Sequence, residues 1–151
     1  MKAFKQILAT LAVLATFTSA TMAAGKGWET NIEAAVAKAK KENKAVMVEF
    51  TGSDWCPPCK MMNKKVFSKA EFVKKASKKY VLCVIDIPRG NKELYNKNSK
   101  VMKKYKVSGV PTVILMDDAG KEFTRFSASQ FPSISAFVGH LNTSLEKKDL
   151  D

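Results

Sequence analysis

Two cysteines separated by two residues, in Asp54-Trp55-Cys56-Pro57-Pro58-Cys59-Lys60, constrain this chain more than any other stretch. They stand between an apolar, β-rich run, Ala45 to Phe50, and a segment of helical pattern. Residues three apart on a helix have β-carbons about 5–6 Å apart, so a small adjustment closes a disulfide or leaves two thiols. The first cysteine would fall at the helix N-terminus, where unpaired backbone N–H groups favour a thiolate. That makes Cys56 the attacking sulfur and Cys59, one turn inside, the sulfur that resolves a mixed disulfide. Pro57 suits the first turn because it lacks a donor that would go unused there. A static disulfide and half a zinc site share this spacing. Zinc wants four ligands, and only Cys83 and His140 remain as soft donors, on unrelated elements. A static disulfide around so short a loop would stabilise little. The expectation is therefore a redox pair, with no metal and no bound cofactor.

At 151 residues the chain is one domain's worth. Met1 to about Ala24 is set apart: Lys2 and Lys5 make a basic start, Ile7 to Phe17 an apolar centre, and Thr21-Met22-Ala23-Ala24 a small-residue exit. This is the pattern of a secretory signal peptide, with cleavage at Ala20, Ala23 or Ala24. Its centre is shorter than the roughly 20 apolar residues that span a bilayer. No cysteine near its end offers a lipidation site. The division is a leader over 1–24 and a folded domain over 25–151. The expected location is periplasmic or secreted, where disulfides persist. Beyond the leader only Cys56, Cys59 and Cys83 occur, too few for a disulfide-stapled scaffold, so the pair is free for chemistry.

Without Lys2 and Lys5 the chain carries 24 basic and 14 acidic residues, a formal charge of +10. The excess is lysine; Arg89 and Arg125 are the two arginines. A site built for bidentate phosphate contacts would favour arginine. Lysines such as Lys38, Lys40, Lys41, Lys74, Lys75, Lys78 and Lys79 sit on helix faces, which argues for solvated surfaces and against nucleic acid. A weak attraction to acidic partners or anionic membrane surface fits the same charge.

Trp28 to Asn43 reads as a helix capped by Thr30 or Asn31, with Ile32, Ala35, Val36 and Ala39 on its apolar face. Ala45 to Thr51 places Val46, Val48 and Phe50 on one face and Met47 and Glu49 on the other, as in a central strand covered twice. Ser68-Lys69-Ala70-Glu71 is a capping-box pattern that starts a new helix or a kink. Tyr80 to Ile87 is a strand, Pro88 to Ser99 a loop entering a helix, and Leu94, Val101, Met102 and Tyr105 that helix's inner side. Pro111 to Met116 and Lys121 to Phe126 form a hairpin through Asp117-Asp118-Ala119-Gly120. Pro132 to Leu145 closes the chain as a helix striped by Ile134, Phe137, Val138, Leu141 and Leu145. The order implies an α/β domain, a central mixed sheet with helices on both faces.

Glu49 is a carboxylate in an apolar strand seven residues before Cys56. Burial would raise its pKa and let it move a proton to or from Cys59; the plainer alternative is a glutamate facing solvent at a sheet edge. Trp55 is either an apolar wall for docking a partner or a packing residue. Lys60 reads as a surface lysine. Cys83, mid-strand among aliphatic residues, behaves as a small buried hydrophobe. His140 falls off the last helix's stripe and is expected in solvent.

Val48-Glu49-Phe50, the Trp-Cys-Pro-Pro-Cys-Lys run and Gly109-Val110-Pro111-Thr112 together resemble the thioredoxin superfamily, over roughly Trp28 to Leu145. The resemblance implies a thioredoxin-like fold, with thiol–disulfide exchange at Cys56 and Cys59 and proton transfer by Glu49. Thioredoxins keep this acid one residue closer to the first cysteine, so the loop here is one residue longer. The resemblance also implies a cis Pro111 packed against the cysteines, with the backbone of Val110 free to pair with an extended client. Ser127-Ala128-Ser129-Gln130 stands where the family often has a glycine. The partners implied are protein or peptide disulfides and a thiol electron donor, a membrane reductase among the candidates, with the chain acting as a monomer. A proline before the second cysteine goes in the family with a more reducing pair, which favours a reductase. An oxidase or isomerase role, and a non-catalytic client-binding module, are the alternatives.

Overall fold

The computed structural model describes residues 25–150; the leader expected over 1–24 lies outside them. The organising strand is β2 (Ala45–Thr51), all seven residues of which are buried. It is buried because both its edges and both its faces are covered. On one edge it pairs in parallel with β3 (Tyr80–Asp86), and on the other antiparallel with β4 (Thr112–Met116). Val46, Val48 and Phe50 face one layer, while Ala45 and Met47 face the other, the alternation expected of a pleated strand. With β1 (Trp28–Glu29) and β5 (Glu122–Ser127) the sheet order is β1-β3-β2-β4-β5. Helix α1 (Ile32–Glu42) and the inner side of α4 (Lys92–Lys104) cover the first face. The second face is covered by α2 (Pro57–Met62), a π-helical turn (Asn63–Phe67), α3 (Ala70–Ala76) and α5 (Ile134–Lys148). The expected α/β architecture is the one observed.

Three local expectations are corrected. Trp28, read as the start of a helix, belongs to the edge strand β1, in register with Leu82. Gly27 turns the chain there at φ 98°, a conformation open to glycine. The Trp28 indole then packs beside Phe67 and Phe72, with ring centroids 5.9 and 6.3 Å away. The helix itself starts at Ile32, where the Asn31 side chain accepts the Ala34 N–H at 2.7 Å.

The capping box at Ser68 and Glu71 does not form. The Ser68 hydroxyl instead donates to the Asn63 carbonyl at 2.7 Å, closing the π-helical turn, and α3 begins after Lys69 without a side-chain cap. The wider turn brings residues five apart into line, so Met62 and Phe67 both reach the core.

His140, expected in solvent, is half-buried. Its ring stacks on Phe131 at 4.0 Å and meets Phe126 edge-on at 4.4 Å, and burial lowers its pKa, which favours the neutral imidazole. These phenylalanines come from β5 and the turn after it, beyond what one helix's periodicity shows. The rest of α5 follows its stripe: Phe137 and Leu141 are buried, with Ile134, Val138 and Leu145 packed beside them.

Candidate active site

The site forms where β2 ends. Cys56, in extended conformation, is the N-cap of α2, and Pro57 and Pro58 occupy the first two helical positions. Neither proline carries an N–H. The first amide the helix end can offer is therefore that of Cys59, which donates to Cys56 Sγ at 3.3 Å. The two cysteines, with Cα atoms 5.2 Å apart, are joined as a disulfide. Both are nearly buried, 3% exposed for Cys56 and 1% for Cys59. Cys56 Sγ lies 3.8 Å from the Val110 carbonyl oxygen, and the Val110–Pro111 peptide bond is cis. The Pro111 carbonyl accepts the Ala128 N–H at 3.2 Å, so the turn after β5 (Ala128–Gln130) borders this loop.

Glu49 lies inside the fold, 4% exposed, and its Oε1 has no hydrogen-bond partner. Burial pushes its pKa up to about 8; the Thr51 side chain opposes this shift and the Asp86 charge adds to it. Glu49, Thr51 and Cys59 share a cleft of about 180 Å³ whose exposed lining includes Ser53, Lys60 and Asn63. A carboxyl group titrating near neutrality and a buried sulfur thus face one small polar space. That arrangement suits proton transfer through a short path or a single water. Cys83 is buried, and burial pushes its thiol up to about 12, which keeps it protonated and inert. Among the described residues no group of three or more His, Cys, Asp or Glu could hold a metal ion.

No periodic or spacing signal shows how firmly the loop before Cys56 is held. Ser53 donates its N–H and its hydroxyl to the Asp86 carboxylate at 2.9 and 2.6 Å. Asp54 accepts the N–H groups of Arg89 and Gly90 at 3.0 and 2.7 Å, with Gly90 contributing most to a lowered pKa. The Trp55 indole donates to the Ile87 carbonyl at 2.8 Å. Three successive residues are thus fastened to the end of β3 and the loop beyond it. Trp55 is half-buried.

Gly52 makes this seat possible, since a Cβ there would lie 2.5 Å from the indole. Gly52→Ala is therefore expected to displace Trp55 and cost about 1–3 kcal/mol. Urea unfolding and tryptophan emission would read it; an unchanged midpoint and spectrum would contradict this packing.

Residues 27–118 match the model of a family described as Thioredoxin-like. The chain belongs to that family. Disulfide bond reductase DsbH of Chlamydia pneumoniae is 33% identical over 106 residues, 68% of this chain and 63% of that protein. Thiol:disulfide interchange protein DsbD of Actinobacillus pleuropneumoniae is 31% identical over 101 residues, 67% of this chain and 16% of that protein. The matched stretch thus spans less than two thirds of these relatives' own length. The solved structure of a DsbH oxidoreductase superposes with a TM-score of 0.69 at 27% identity, covering 95% of each chain. With its C-x-x-C pair at the helix start, the domain is a thioredoxin-superfamily thiol–disulfide oxidoreductase domain.

Proposed function

We propose that the protein is an exported reductase of disulfides in polypeptides, working after its leader is removed near Ala24. In the reduced form, the Cys56 thiolate attacks one sulfur of the client disulfide. A mixed disulfide forms, and the client's other sulfur leaves as a thiolate that takes a proton. Cys59 then gives its proton to the ionised form of Glu49 and attacks Cys56 Sγ. The client's second sulfur is released, and Cys56–Cys59 is left oxidised. A dithiol donor, for which a membrane reductase domain is the natural candidate, returns two electrons by the same steps reversed. Glu49 then hands its proton back to Cys59. The backbone at Val110 and Pro111 and the wall of Trp55 seat the client beside Cys56.

The observation that carries the direction is the single amide offered to Cys56 Sγ. A pair is oxidising when its reduced form is stabilised. Backbone N–H groups at a helix start stabilise the thiolate, and Pro58, at the second helical position, removes one that an N-cap sulfur could use. The thiolate is correspondingly less favoured and the disulfide more so, which makes the pair reducing. The names of the relatives DsbH, a disulfide bond reductase, and DsbD, an interchange protein, agree with this chemistry. Equilibration with glutathione or dithiothreitol buffers tests it. A potential near thioredoxin's, about −270 mV, is expected; one near the −120 mV or so of a strong oxidant would reverse the direction.

A further inference from the structure

The chain's two arginines are used differently. Arg125 is exposed but satisfied by its own chain: its guanidinium pairs with Glu122 and donates to the carbonyls of Tyr105 and Lys106. Arg89 is exposed, and its guanidinium lies over the Trp55 ring, 4.5 Å from the centroid. Among the described residues that guanidinium makes no ion pair and no hydrogen bond. Its position is nevertheless fixed from both ends. The Asp54 carboxylate holds the backbone N–H of Arg89, and Trp55, seated on Gly52 and bonded to Ile87, supplies the platform beneath the side chain. A stacked guanidinium keeps its N–H fork directed outward, which a lysine on the same ring would not do. This unpaired cation thus lies on the ring of the residue that precedes Cys56 in the chain.

We propose that Arg89 is a specificity determinant that selects client disulfides flanked by acidic side chains, pairing its guanidinium with a carboxylate beside the attacked cysteine. The proposal rests on the reading that Cys56 and Cys59 reduce polypeptide disulfides. The positive charge of the chain without its leader, +10, favours acidic partners in general. The local claim is that a carboxylate close to the attacked sulfur gains more than that field supplies.

Three disulfide-linked peptides, alike except for Glu, Gln or Lys beside the attacked cysteine, test it with the full mature protein. At low ionic strength kcat/KM is expected to be about tenfold higher for the Glu than for the Lys peptide, narrowing to about twofold in 1 M salt. Arg89→Glu is expected to invert the order. Lys74→Glu makes the same charge change on the exposed face of α3 and is expected to leave the order intact. Equal rates for the three peptides with the wild-type protein overturn the inference alone, whether or not Arg89→Glu folds. Equal loss of preference in the two variants also overturns it, by tracing selectivity to net charge. Reduction of none of the peptides overturns the underlying reading, and this inference with it.

Discussion

Cys56→Ser is expected to lower disulfide reduction by about a thousandfold or more, to the uncatalysed background. The serine hydroxyl, with a far higher pKa, gives no useful nucleophile at the helix N-cap, and Cys59, inside the helix, lacks the N-cap position that favours a thiolate. Cys59→Ser has a different signature. Cys56 still attacks, but nothing follows to release it, so a mixed disulfide with the client accumulates. Turnover of insulin disulfides read beside non-reducing electrophoresis separates the two variants. A Cys56→Ser protein that keeps its rate, or a Cys59→Ser protein that traps no client, would overturn the assignment of attacking and resolving sulfurs. A non-catalytic client-holding module would keep binding its client when both are replaced.

Glu49→Gln should change stability and rate together, with opposite signs at alkaline pH. The folded-state pKa of Glu49 is raised from the ordinary 4.5 to about 8 by burial. Between those values the folded chain holds a proton that the unfolded chain has already released. Stability is therefore full below pH 4.5 or so and falls as pH rises through 8. The loss approaches about 5 kcal/mol once Glu49 must ionise inside the fold. Glutamine cannot ionise, so the variant should match the wild type near pH 5 and exceed it at pH 9. Urea midpoints of the oxidised protein across that range test the point, and parallel curves for the two proteins would sink it. The same substitution removes the acceptor for the Cys59 proton. Resolution of the mixed disulfide should slow by about a hundredfold at pH 8 and above, where Glu49 is ionised and can accept that proton.

What could be read in the sequence was what repeats or adjoins. Residues Ala45 to Phe50 announce a central strand because they are apolar on both faces, and β2 is buried along its whole length. The stripe from Ile134 to Leu145 announces one face of α5 because a helix returns to the same side every three or four residues. Cys56 and Cys59 announce themselves by spacing. The cis bond before Pro111 came from family resemblance, since a proline alone defaults to trans.

What stayed hidden depends on partners far away in the chain. Two residues, Trp28 and Glu29, are too few to show a strand's alternation. The partial burial of His140 is decided by Phe126 and Phe131. The fastening of Ser53, Asp54 and Trp55 to Asp86, Ile87, Arg89 and Gly90 joins residues 32 to 36 positions apart. Those partners meet because β2 and β3 run side by side in the same direction, so their ends emerge together. Asp54 stood in the most informative stretch of the sequence without showing its purpose, because an acid in a loop carries no periodic signal.

That fastening makes the sulfur pair a small moving part in a rigid mount. Its hydrogen bonds do not involve either sulfur, so they hold equally with the bridge open or closed. Clients and electron donors then meet nearly the same outline in both halves of the cycle. Which of them docks must be decided by the two sulfur atoms and by charge along the rim, with little help from a change of shape.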